Sequence, residues 1–125
     1  MKSSDLIAIL ASHDAWRRGD QDGQRADLTD ADLTDADLAH ADLARANLCG
    51  AHLTRANLCG AHLARADLTG ADLTSAILNR ADLTDADLSH ADLRWANLSR
   101  ADLNYADLTG AKLAGATLPQ PGGTS

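Results

Sequence analysis

Apolar positions recur along this chain with two periods. Over SSDLIAILASHDAWRRGD (residues 3–20), Leu6, Ile9, Leu10, His13 and Trp16 recur at the spacing of one helix face. Ser4 or Asp5 is placed to cap the start of that helix and Gly19 to end it. From residue 26 the period becomes five: ADLTD ADLTD ADLAH ADLAR ANLCG and onward. Ala holds every fifth position from 26 to 116 and Leu every fifth from 28 to 118, so nineteen consecutive units match at both. Chance does not produce that agreement, and it outweighs every other signal in the chain.

A period of five restricts the backbone. On an α-helix five residues advance the chain by about 140°, so the leucines would spiral and form no stripe. On a straight strand an odd period sends successive leucines to opposite faces. A chain that turns a corner every five residues buries them all. Ala and Leu, two apart, point the same way within a short extended segment, and the corner resets the direction. Four sides close a square of twenty residues, and stacked coils pair as parallel strands about 4.8 Å apart.

The unit resembles the pentapeptide-repeat motif A(D/N)LXX over about 95 of 125 residues. The resemblance implies an all-β solenoid, a right-handed quadrilateral parallel β-helix, here with an N-terminal α-helical cap. The family often places Phe at the central inward position, and this chain uses Leu throughout. Three segments are expected: a capping helix and linker over 1–25, a β-helix of just under five coils over 26–118, and a flexible tail over 119–125. At the strand spacing the stack is roughly 23 Å tall. The expected core includes Ala26, Leu28, Ala31, Leu33, Ala36, Leu38, Leu43, Leu48, Leu68 and Leu88. The expected cap residues are Leu6, Ile9, Leu10 and Trp16, with Trp16 packing on the first Ala and Leu side chains and His13 read as part of that packing. The leader, an apolar helix with His, Trp and Gly before RADL, is similar to that of bacterial and phage members of the family. Pro119 and Pro121 cannot donate to a ladder and blunt the far edge.

Composition narrows the function. With two Trp, one Tyr and no Phe, nearly all apolar content is Ala and Leu, and every acidic residue is Asp. The formal net charge is −7, which disfavours direct nucleic-acid or anionic-membrane binding and suits a basic partner. The apolar stretch LIAILA is too short for a signal-peptide core or a membrane span, so a cytoplasmic protein with reduced thiols is expected.

The stretch CGAHLTRANLCGAH (49–62) offers Cys49, His52, Cys59 and His62, a ligand set suited to zinc. The square puts these four residues on four different sides. They cannot enclose one ion, and the two thiols are too far apart to form a disulfide. No metal and no cofactor is expected.

Numbering the sides by their leucines, side one carries 28, 48, 68, 88 and 108; side two 33, 53, 73, 93 and 113; side three 38, 58, 78, 98 and 118; and side four 43, 63, 83 and 103. The outward residue before each Leu is Asp eleven times and Asn three times, with His52, His62, Ile77, Lys112 and Thr117 as exceptions. Two readings stand: an acidic surface, or short acceptors that bond backbone N–H groups at each corner. Side one carries Asp27, Asp30, Asp67, Asp87 and Asp107 without an Arg or Lys and is the candidate acidic interaction face. Side three has only Asp37 against Arg80 and Arg100. Arg94, Trp95, Arg100 and Tyr105 form a candidate aromatic and basic contact; alternatively, the rings lie flat over small residues one coil away, Ser75 and Gly115 for Trp95 and Asp85 for Tyr105.

A core filled by Ala and Leu leaves no ligand cavity, and no catalytic constellation survives the geometry, so no enzyme activity is expected. The expected function is a rigid scaffold for an unidentified macromolecular partner. The resemblance supplies an alternative, a DNA mimic bound to a type II topoisomerase, gyrase or topoisomerase IV, as in family members linked to fluoroquinolone resistance. It also implies a homodimer through the C-terminal coil.

Overall fold

The computed structural model describes residues 1–120. From Asp27 to Thr117 the chain winds into a four-sided solenoid. Fifteen parallel bridges each join residues 20 apart, from Asp27–Asn47 to Asn97–Thr117. Each side contributes one bridging residue to the ladder, because the next corner follows too soon for a longer strand. The bonding scheme repeats: the Leu28 N–H donates to the Asn47 carbonyl (2.7 Å), Asp30 N–H to Cys49 (2.9 Å), and Asn47 N–H back to Ala26 (3.0 Å).

The corners are four-residue turns closed by a bond such as Ala31 N–H to Leu28 carbonyl, 3.0 Å. The third turn residue, the fifth of each unit, has φ near +60° at all eighteen corners from 30 to 115, and only five of these are glycine. The pattern is that of a type II turn. Holding a non-glycine residue there costs on the order of 1 kcal/mol. From Asp30 to Trp95 each such residue's N–H is tied to the next coil, as that of Asp30 is to the Cys49 carbonyl.

Each of the eleven Asp and three Asn accepts, through Oδ1, the N–H two residues on, as Asp27 does from Thr29 (3.1 Å) and Asn57 from Cys59 (3.0 Å). The corner-bonding reading thus describes what these side chains do.

Every repeat Leu from 28 to 98 is at most 1% exposed. Ala31 and Ala36, expected in the core, are only half-buried. They lie in the first coil, which has no coil above it.

A helix, α1 (Ser3–Arg17), lies on that first coil and packs Leu6, Ile9 and Leu10 against the core. Neither Ser4 nor Asp5 caps it: the chain enters at an extended Lys2, so both are inside the first turn. Gly19, at φ 84°, ends the helix. Its N–H bonds to the Trp16 carbonyl and that of Asp20 to Ala15, a Schellman closure. Trp16 is half-buried and stacks on the His13 ring at 5.4 Å instead of packing on the first Ala and Leu residues.

His13 is fully buried and spans the first coil: Ala26 N–H donates to its Nδ1 (2.9 Å), and its Nε2 lies 2.9 Å from the Ala44 carbonyl. Ala26 N–H can only donate and the Ala44 carbonyl can only accept, so the ring is neutral with its proton on Nε2. Burial pushes its pKa below 6.5, against the pull of the Ala44 bond and Asp42. An Arg17–Asp42 pair at 3.3 Å ties the end of the helix to side four.

Of the expected tail, 119–125, residues 121–125 and with them Pro121 lie outside the described residues. Among the described residues no helix is long and apolar enough to cross a membrane.

Candidate interaction surface

With the interior filled, the chemistry of this molecule is on its walls. On side one, Asp27, Asn47, Asp67, Asp87 and Asp107 stand in one register, each bridged to the next. Their carboxylates are not idle: hydroxyl and N–H bonds from Thr29, Ser89 and Thr109 hold Asp27, Asp87 and Asp107 below the usual carboxylate range. The Thr69 hydroxyl also donates to Asp67, at 2.6 Å. Asp30 sits at the corner, its carboxylate lying over Gly50. The five acidic residues therefore share one wall, charged and internally braced.

The aromatic and basic candidates do not share a wall. Arg94 and Trp95 lie at the corner after side two, Arg100 at the corner after side three, and Tyr105 half a coil from Trp95 at the diagonally opposite corner. The four cannot meet one small partner surface. Arg94 is moreover held by Asp92, with Nε at 2.9 Å and Nη2 at 2.6 Å from its carboxylate. The Trp95 ring lies across Gly115, where an added Cβ would fall 2.3 Å from a ring carbon, although two thirds of the residue stays exposed. Tyr105 is 87% exposed.

The CGAH echo is spread around the tube. Cys49 and Cys59 are half-buried free thiols half a coil apart, and Asn79 Nδ2 lies 3.3 Å from the Cys59 sulfur. His52 bridges Asp32 and Asp72 on side two, and His62 bridges Asp42 and Asp82 on side four. Among the described residues no three His, Cys or Asp side chains converge.

Side three is the exception in charge. Below Asp37 its outward ladder runs Asn57, Ile77, Asn97, Thr117, with Arg80 and Arg100 at its corner. Neither arginine is paired among the described residues, whereas Arg55 is bound to Asp35 at 2.8 Å on side two. Ile77 is 40% exposed and the one apolar residue among the outward ladder positions. The sequence shows both the exception to the Asp/Asn rule and the scarcity of carboxylates on that side; the structure adds the exposure of Ile77 on that wall.

The family model for pentapeptide repeats matches this chain in eight copies, over residues 26–63, 41–80, 51–89 and 81–120. Among solved structures, a pentapeptide repeat protein from the cyanobacterium Cyanothece 51142 is 36% identical, with a TM-score of 0.73 over 74% of this chain and 63% of that one. One from the Arabidopsis thaliana thylakoid lumen is 34% identical, with a TM-score of 0.71 over 74% and 65%. A third, from Nostoc PCC 7120, is 36% identical, with a TM-score of 0.51 over 89% and 84%. The chain thus spans just under two thirds of the length of the first two. No curated protein matches it.

Proposed function

The chain belongs to the pentapeptide-repeat family, and on that premise we propose that it is a rigid, non-enzymatic, cytoplasmic interaction module whose outer walls meet a macromolecular partner. The observation that carries this reading is the filled interior. With every repeat Leu from 28 to 98 at most 1% exposed, side chains fill the interior of the described coils, and hollows lie at the two ends. On this reading the rod is the family's right-handed quadrilateral β-helix, and α1 is its N-terminal cap, sealing apolar side chains that a first coil would otherwise show to water. The test is capture of a partner by the folded protein, repeated with Asp67→Asn/Asp87→Asn/Asp107→Asn, with Trp95→Ala/Tyr105→Ala and with Arg80→Glu/Arg100→Glu. Loss of the partner on changing one surface supports the reading. Equal capture by every surface variant would overturn it.

A second reading is a DNA-like acidic wall that engages a type II topoisomerase. The register of Asp67, Asp87 and Asp107 favours it. A gyrase supercoiling assay that shows neither inhibition nor protection at micromolar protein removes it. A homodimer through the last coil is favoured by Leu118, 45% exposed beside half-buried Leu103, Leu108 and Leu113. Light scattering that gives the monomer mass at tens of micromolar would exclude it.

A further inference from the structure

Fourteen of the outward ladder positions carry an acceptor that bonds the N–H two residues on; His52, His62, Ile77, Lys112 and Thr117 give that bond up, and of these five Ile77 alone is apolar. An isoleucine offers nothing to the Asn79 N–H, and it leaves a β-branched aliphatic group exposed between the half-buried amides Asn57 and Asn97. A lost turn bond of this kind is unfavourable for folding, so an exposed apolar position that breaks the local rule is a candidate for function. The electrostatics point to the same wall. In a chain of net charge −7, side three carries no carboxylate in the four coils from Asn57 to Thr117, and Arg80 and Arg100 stand one coil apart along its edge. A charge-poor centre with an aliphatic group and flanking arginines is the composition of an interface core, and arginine is among the residues that carry binding energy there.

We propose that side three is the docking wall of this module, and that its partner is an acidic protein segment whose aliphatic side chain packs on Ile77 while its carboxylates pair with Arg80 and Arg100. The inference rests on the reading of the chain as an interaction module and names the wall and the partner's chemistry. It opposes the acidic wall, which would select basic segments.

An unbiased linear peptide library displayed on phage and selected on the full chain tests it. The expected result is enrichment of acidic peptides with an aliphatic residue. Their affinity should fall at least about tenfold with Ile77→Asp or with Arg80→Glu/Arg100→Glu, fall with added salt, and stay unchanged with Asp67→Asn/Asp87→Asn/Asp107→Asn. Enrichment of basic peptides, or of peptides indifferent to the side-three variants, would overturn the docking wall while leaving the module reading in place; no enrichment at all would also overturn it. Thermal melting supplies an independent check. Ile77→Asp restores the acceptor for Asn79 N–H and should melt no lower than the unmodified chain. A lower melting point would show that Ile77 is kept for packing, and the proposal would fall.

Discussion

Leu33 and Leu38 in the first coil are 1% exposed, whereas Leu103, Leu108 and Leu113 in the last are half-buried and Leu118 is 45% exposed. The same unit, with the same inward Leu and Ala, thus ends in two different environments. At the first end α1 brings Leu6, Ile9 and Leu10 onto the core; at the last, an apolar hollow lined by Leu103, Leu108, Leu113, Leu118 and Pro119 faces outward. A repeat fixes which side chains point inward but not whether inward means buried. That depends on what lies above or below, because each coil of a solenoid is stabilised only by its neighbours.

The strongest way to break this contrast is to shorten one leucine at each end. Leu33→Ala removes side-chain carbons from a closed site and should cost about 2–5 kcal/mol. Leu113→Ala, at a site already open to water, should cost about 1 kcal/mol or less. Urea denaturation of the two variants measures both. Equal losses would mean that the last coil is as well covered as the first, and the asymmetry would disappear.

Gly23→Ala attacks the covered end from outside the repeat. A Cβ there would lie 2.1 Å from the Trp16 backbone nitrogen, and main chain cannot swing aside as a side-chain tip can. The helix must shift, with an expected loss of about 1–3 kcal/mol. Gly70→Ala is the control: nothing lies within 4 Å of the new methyl, and only the strain of a Cβ at φ +67° is added, at about 1 kcal/mol. Far-UV circular dichroism through the melt should show helix signal lost early in the first variant alone.

How much of this was legible in the sequence depends on whether the determining contact is local. The Leu ladder, the four sides and the register of 20 follow from the period, because each unit repeats the same local geometry. The positive φ at the corners leaves a trace in the sequence that is visible only once the turn type is known. Position five holds Gly50, Gly60, Gly70, Gly110 and Gly115 and never a β-branched residue, while Thr recurs at position four. His13 was legible as a packing residue, but its partners are the backbone of Ala26 and Ala44, 13 and 31 residues away, which no side-chain pattern announces. The pairing of Arg94 with Asp92 is likewise set by how the chain bends at that corner, which the period does not specify.

Acid sharpens the contrast through His13. The folded protein keeps this ring neutral, with a pKa below 6.5, while the unfolded chain binds a proton as pH falls through 6.5. The unfolded state therefore binds more protons in that window, so stability is full above 6.5 and declines as pH falls toward the lowered folded value. His13→Gln can still accept from Ala26 and donate to Ala44 but does not titrate. Denaturation midpoints at about pH 8 and about pH 5, on either side of the ordinary histidine value, should converge for this variant relative to the unmodified protein. An unchanged difference would move the pH dependence away from the covered end.

The smallest effect is expected on side one, which runs the length of the rod between the two ends. Asn at 47, 57 and 97 makes the same bond to the N–H two residues on as Asp does elsewhere, so the corner needs an oxygen acceptor and not a charge. Asp67→Asn/Asp87→Asn/Asp107→Asn should therefore leave the denaturation midpoint at neutral pH within the error of the measurement. The charge should matter only in acid. Thr and Ser hydroxyl and N–H bonds hold Asp87 and Asp107 below 3.8, so the unfolded chain protonates first as pH falls through that value. The contribution of these carboxylates is present above 3.8 and lost below it. The triple variant should accordingly flatten the acid limb of the stability curve and leave the His13 window untouched. If it instead unfolds at neutral pH, the carboxylates brace the wall through their charge, and the equivalence of Asp and Asn at the corners is wrong.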